Sequence, residues 1–369
     1  MNPQDMIRDE VRALSAYHVP DPGDAVKLDA MENPYAWPAA LPQGLAEQWA
    51  AGLADVALNR YPAPGAEALR DDLAKWMGLP ALANAGDLDI ILGNGSDELI
   101  QLLAMAVKHP AGGAKPCILA PEPGFVMYNM IARFVDADYV GVPLADGFEL
   151  DLPAMLAAIK TNQPALIFLA YPNNPTGNLW SVDALQAIVE AAPGLVVIDE
   201  AYTAFAADSR VEWLQQYPQL LVMRTLSKVG LAGLRLGMLA GQKCWVNELD
   251  KIRLPYNINS LTQYSARFAL ANMAPLEAQA SSLRQQRGEL FARLSEVDGV
   301  SVWSSEANFL LFRLEKADAV AVHASLVEQG VLIKKLHGAH PQLEQCLRVT
   351  VGTESENQQF LDALNRALA

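Results

Sequence analysis

What most constrains this chain is an alternation: short apolar runs recur between helical patterns from about residue 88 to residue 241. The runs lie at 90–92, 117–120, 165–171, 195–199, 220–223 and 235–241. Between them, residues 127–135 and 181–192 have helical length and periodicity. This pattern predicts an α/β fold, a mostly parallel sheet covered by helices on both faces. In such sheets ligands sit beyond the carboxyl ends of the strands, so the loops after the strands are read as one set. After about Pro255 shorter strands and helices mix, which predicts a second, α+β domain hinged near Leu254 to Ser260. That region includes one long helix expected over 261–297.

The strand ends offer Ser96-Asp97 after two glycines, Phe125 after Pro123-Gly124, Asn174 within YPNNPTG, Asp199 and Tyr202 within DEAY, and Ser227-Lys228 with Arg235 in TLSKVGLAGLRLG. Each has an ordinary reading by itself. Ser96-Asp97 suits a helix cap, NNPTG a turn, Asp199 a strand-end cap and Phe125 core packing. Arg235 suits a salt bridge, and Lys228 a surface position. Taken together at the ends of one sheet they fit one ligand. The helix start at Ser96 and Asp97 suits an anion such as phosphate, with Ser227 and Arg235 as further donors. Phe125 suits stacking on a flat ring, and Asn174 and Tyr202 suit donation to a ring oxygen. Asp199 suits holding a ring nitrogen protonated, and a desolvated Lys228 suits imine formation with an aldehyde. A phosphate, a basic aromatic ring, a phenolic oxygen and an aldehyde describe pyridoxal 5'-phosphate.

Composition enters by exclusion. A formal charge of -15 argues against non-specific binding to nucleic acid or to anionic membranes. Cys117, Cys244 and Cys346 stand far apart without a CxxC pair, which indicates neither a zinc cage nor a disulfide framework, so no metal is expected. No apolar run approaches the ~18 residues of a membrane span, and the first ten residues lack the apolar core of a signal peptide. A cytoplasmic protein is expected. GNGSDE lacks the third glycine of a dinucleotide fingerprint, and no P-loop, HExxH or GxSxG elbow occurs.

In this order and spacing, YPNNPTG, DEAY, TLSKVGLAGLRLG and CLRVTVGT resemble the fold-type I aminotransferases, most closely the histidinol-phosphate branch. The similarity runs from Glu32 to Thr353. It implies a large domain (54–256) with a seven-stranded, mostly parallel sheet, a smaller α+β domain (257–369), and an N-terminal segment (1–53) packing on the small domain. It also implies roles residue by residue. Lys228 matches the lysine that forms the Schiff base and then acts as general acid and base. Asp199 matches the partner of the pyridine nitrogen, Asn174 and Tyr202 the contacts to the ring oxygen, and Phe125 the stacking aromatic, usually tyrosine. Ser96, Asp97, Ser227 and Arg235 match the phosphate cup. Tyr61 matches a tyrosine that reaches the neighbouring subunit's cofactor, which implies a homodimer with shared sites. Arg348 matches the arginine that holds the substrate's anionic group. Lys334 stands where the family has a second arginine, and a point charge does not reproduce a bidentate contact. Asn33 and Tyr35 are expected to close over the substrate. The reaction implied is transamination of L-histidinol phosphate with 2-oxoglutarate, giving imidazole acetol phosphate and glutamate. The alternatives are an aromatic or broad-specificity aminotransferase, a threonine-phosphate decarboxylase, and a non-catalytic cofactor-binding protein.

Overall fold

The computed structural model describes residues 6–14, 21–108 and 111–369. The parts of the N-terminal arm at 1–5 and 15–20 lie outside the described residues. A short strand β1 (Val26–Leu28) comes first. Seven strands follow: β2 (Leu88–Asn94), β3 (Cys117–Glu122), β4 (Asp138–Pro143), β5 (Leu166–Ala170), β6 (Leu195–Asp199), β7 (Leu220–Thr225) and β8 (Leu236–Gln242). They form one sheet in the order β2-β8-β7-β6-β5-β3-β4. β8 is antiparallel to both neighbours, and the other neighbouring pairs are parallel. Near-continuous apolar sequence follows from burial on both faces: all of β5 and β7 is buried. Alternate residues feed two clusters. Val196, Ile198, Leu220 and Val222 face one, while Val197, Leu221 and Met223 face the other beside helices Gly95–Ala106 and Met127–Phe134.

β9 (Val300–Val302), β10 (Phe309–Leu314), β11 (Val331–Lys335) and β12 (Cys346–Thr350) form a second sheet, which β1 joins by pairing parallel to β11. β1 therefore lies against the smaller sheet, whereas Trp37 and Leu41 further along the N-terminal segment pack into the large-sheet cluster. The helix expected over 261–297 is two helices, Ser260–Ala271 and Ala274–Ser295. Pro275 opens the second, in the one helical turn where a missing N–H costs nothing. The two cores meet along that helix. Leu276 belongs to the large-sheet cluster, whereas Ala280, Leu283, Leu290 and Leu294 belong to the small-sheet cluster.

One close approach shapes the site. A Cβ on Gly237 in β8 would come within 2.6 Å of the Gly95 carbonyl carbon and 2.7 Å of the Ser96 nitrogen. Gly95 itself has φ +75°, which L side chains rarely adopt, and its N–H donates to the Arg235 carbonyl at 2.8 Å. Two glycines thus let the start of helix Gly95–Ala106 sit directly on the Arg235 turn.

Candidate active site

A cavity of about 100 Å³ opens at the carboxyl ends of the large sheet. Ser96, Asp97, Phe125, Asn174, Asp199, Tyr202, Ser227, Lys228 and Arg235 all line it, so nine residues from five separated loops are brought to one place.

Asp199 ends β6 and is buried. Its Oδ2 accepts the Tyr128 hydroxyl at 2.7 Å, and its Oδ1 accepts the Ala201 N–H at 3.0 Å. Burial pushes the carboxyl up to about 6, against those two hydrogen bonds, which favour its charged form. Lys228 lies one turn past β7, in the irregular helical turn Ser227–Leu231. Burial brings its ammonium down to about 8; Arg348 and Arg235 act in the same direction, while Glu32 and Asp97 oppose it. Its Nζ lies 3.4 Å from the Ala30 carbonyl and 5.8 Å from the centre of the Tyr202 ring. Asn174 Nδ2 donates to the Tyr202 hydroxyl at 3.2 Å. Burial raises the Tyr202 hydroxyl far above its ordinary value, with Arg348 opposing. On the phosphate-type side, Arg235 Nη2 stands 3.5 Å from Asp97 Oδ2. Ser227 Oγ is 2.9 Å from Thr225 Oγ1, which also accepts the Ser227 N–H at 3.1 Å.

Arg348, in β12, is buried and reaches across from the small sheet. It donates to Asn174 Oδ1 and, at 3.2 Å, to the Asp29 carbonyl, with its guanidinium 5.1 Å over the Phe309 ring. It sits opposite Lys334 in the β11–β12 ladder. Both line a second cavity of about 450 Å³, together with Phe125, Asn174, Lys335 and His340. Phe125 and Asn174 also line the first cavity, so the two spaces share a wall.

Asn33, Tyr35 and Tyr61 line neither cavity. Asn33 spends its side chain on the chain itself: Nδ2 donates to the Val229 carbonyl and to Gln279 Oε1, while Oδ1 accepts the Tyr35 N–H. It ties the N-terminal segment to the back of the Lys228 turn. Tyr61 is 79% exposed and stacks on Tyr256 with ring centres 4.5 Å apart. Sequence reasoning passed over Tyr128, Thr225 and Met31. Tyr128 had a signal, an aromatic hydroxyl one turn beyond Phe125 on the apolar face of a helix. Met31 had none, because only tertiary contact places it in the wall of the cavity. Its N–H donates to Thr350 Oγ1, and its carbonyl accepts from Asn308 Nδ2. Among the described residues, no group of three or more His, Cys, Asp or Glu side chains is placed to hold a metal ion.

A buried strand-end acid, a lysine whose ammonium burial brings down and a helix start facing an arginine thus share one cavity. The chain belongs to the class I and II aminotransferase family, whose model matches residues 24–364. It is 51% identical over 358 residues to histidinol-phosphate aminotransferase 2 of Nitrosococcus oceani, covering 97% of this chain and 96% of that protein. It is 50% identical over 363 residues to the histidinol-phosphate aminotransferase of Chromobacterium violaceum, covering 98% of each. In fold it resembles the histidinol-phosphate aminotransferase of Sinorhizobium meliloti solved in complex with pyridoxal-5'-phosphate. There the TM-score is 0.83 at 23% identity, over 98% of this chain and 97% of that one.

Proposed function

We propose that this aminotransferase moves the amino group of L-histidinol phosphate to 2-oxoglutarate in histidine biosynthesis, with pyridoxal 5'-phosphate as its cofactor. The observation that carries the chemistry is the convergence of Lys228, Asp199 and the Asn174–Tyr202 pair on one cavity. The donor set fits the cofactor group by group: a carboxylate for a ring nitrogen, two donors for a ring oxygen, and a helix start with Arg235 and Ser227 for a phosphate. The substrate assignment is supported by relatives of that name at about half identity over nearly the whole chain.

Bound pyridoxal 5'-phosphate supplies an aldehyde that condenses with primary amines and a ring that accepts electron density when a Cα proton departs. The residues of the chain do the rest. Asp199 keeps the ring nitrogen protonated, and Tyr128 and the Ala201 N–H hold its carboxylate in place. Lys228 anchors the cofactor. With its ammonium brought down to about 8, the Lys228 amine would be neutral often enough at physiological pH to take the proton from the substrate Cα and return it to the carbon of the cofactor's aldehyde group. Phe125 and Met31 supply apolar wall to the same cavity. Arg348, fixed by Asn174 and the Asp29 carbonyl, is the shared contact for the phosphate of one substrate and the carboxylates of the other. Lys334 adds positive charge at the rim of the adjoining cavity. Asn33 and Tyr35 act on substrate through the segment they brace.

The working form is a homodimer in the cytoplasm. Leu58, Tyr61, Leu254 and Tyr256 are exposed apolar or aromatic side chains of the kind a partner covers; Tyr61 is the one that would reach the neighbouring site. Among the described residues no helix is long and apolar enough to cross a membrane. Half-reaction rates with L-histidinol phosphate, phenylalanine, aspartate and threonine phosphate test the substrate. L-histidinol phosphate is expected to be fastest. A preference for phenylalanine would transfer the protein to the aromatic enzymes, and release of carbon dioxide from threonine phosphate would make it a decarboxylase. Mixing Tyr61→Phe subunits with Lys228→Ala subunits tests sharing: hybrid dimers differ in activity from the average of the two parents only if sites cross the interface.

A further inference from the structure

On the opposite face of the large sheet from the Asp199 side chain lies a buried ion pair that the reaction does not use. Glu200 is fully buried, and Arg224 is 7% exposed. Arg224 Nε and Nη2 reach Glu200 Oε2 at 2.9 and 2.8 Å. Ser209 Oγ lies 3.0 Å from both Glu200 oxygens and accepts from Arg224 Nη2 at 2.8 Å, and the Arg210 N–H donates to Glu200 Oε1. The guanidinium also stands 5.7 Å over the Trp76 ring. Every charge in this group has a partner.

The position of the pair follows from strand alternation. Asp199 and Thr225 point to the cavity, so the adjacent Glu200 and Arg224 point to the opposite face of the sheet. The β6–β7 ladder runs to Asp199 and Met223, with a last bond from the Glu200 N–H to the Met223 carbonyl at 2.8 Å. Beyond it the chain leaving β6 turns toward Tyr202 and the chain leaving β7 runs on to Lys228. The Glu200–Arg224 pair holds the two strand ends together at the point where they part. Buried ion pairs contribute little net stability, because desolvation offsets the attraction; apolar residues of similar volume often replace them without loss. Stability is therefore a poor reason for this one, and geometry is a better reason.

We propose that Glu200 and Arg224 are positioning residues for amino-group transfer: across the sheet, they fix the Asp199 carboxylate relative to the Lys228 amine. The inference rests on the reading that these two groups flank pyridoxal 5'-phosphate. An error of about 1 Å at the reacting groups costs up to about a hundredfold in rate, so the pair is expected to appear in kcat.

The test compares the holoenzyme with Glu200→Gln, Arg224→Lys and the double variant Glu200→Met/Arg224→Met, each saturated with pyridoxal 5'-phosphate. Turnover, KM, thermal midpoint and the visible circular dichroism of the cofactor band are measured. The expected result is a double variant with a midpoint close to the parent's, kcat lower by about tenfold to a hundredfold, KM within about threefold, and a weaker dichroic band per bound cofactor. Arg224→Lys, which keeps the charge but not the fork, is expected to fall between parent and double variant. If the double variant does not fold, the near-isosteric Glu200→Gln decides by the same readouts. Parent-like kcat and dichroism in the folded variants would overturn the proposal, as would a loss confined to KM. A parent protein without a cofactor band would instead break the reading of the site itself.

Discussion

The floor and the roof of the cleft are built in different ways. The floor is a series of loops taken in chain order from one sheet. It holds groups whose charge burial has changed, a carboxyl raised to about 6 and a lysine lowered to about 8. The roof draws on β1 and the residues after it, on β11 and on β12, more than three hundred residues apart in the chain. Its cations differ in kind: Arg348 is buried and held by two oxygens, while Lys334 is exposed. The floor thus suits bond-making, which needs perturbed proton affinities at fixed positions. The roof suits recognition, where graded contacts distinguish one anionic head from another.

The largest effect that would break this division is expected at Lys228. Lys228→Ala should lower kcat by about 10⁴-fold and remove the visible band of the lysine-bound cofactor. A variant that still turned over would move the proton transfer to another group. Asp199→Asn comes next, with an expected loss of about 10²-fold or more in kcat while the cofactor stays bound. Its cofactor-free form adds a stability test of known sign. A carboxyl at 3.8 when unfolded and about 6 when folded binds more protons in the folded state between those values, so stability falls as pH rises through that window. The loss is about 3 kcal/mol once both forms are ionised. Urea unfolding of the cofactor-free proteins should therefore find Asp199→Asn more stable than the parent at pH 7, with the gain vanishing below about pH 4. No gain at pH 7 would show that the floor is not strained by its charge.

These two groups were also the most legible in the sequence, and for a physical reason. In a mostly parallel sheet the strand-end loops converge, so apolar runs followed by YPNNPTG, DEAY and TLSK disclose a site without any knowledge of the packing. Tyr128, which donates to Asp199, was less legible because an aromatic on the buried face of a helix reads as core. Met31 was illegible: its place depends on β1 pairing with β11, a contact across about three hundred residues that no local pattern announces. The break at Pro275 was visible as a proline, but the long polar-apolar period continued across it, so the two helices read as one. Asn33 shows the converse. Its residue type suits substrate contact, yet its side chain is taken up by Val229, Gln279 and the Tyr35 N–H.

On the roof, Arg348→Lys sharpens the comparison. The substitution keeps the charge and forfeits the fork that spans Asn174 and the Asp29 carbonyl. The expected cost is about 2 kcal/mol, or roughly thirtyfold in kcat/KM. Because Arg348 is the proposed shared contact, glutamate and L-histidinol phosphate should lose similar amounts. A loss confined to one substrate would divide the roof into separate sites.

The smallest effect is expected at Lys334, and it is informative for being small. The side chain lies at the exposed end of β11, beside Lys335 and across the ladder from Arg348. An ion pair there is screened by water and salt and contributes about 0–1 kcal/mol. Lys334→Gln should therefore raise KM for the phosphate substrate by no more than about fivefold and leave kcat unchanged, with the difference from the parent shrinking as ionic strength rises. Phenylalanine, which brings a carboxylate of lower charge, should respond less. A fall in kcat on the scale expected for Asp199→Asn would place Lys334 with the reacting groups, and the separation of floor from roof would then fail at the point where the two cavities share a wall.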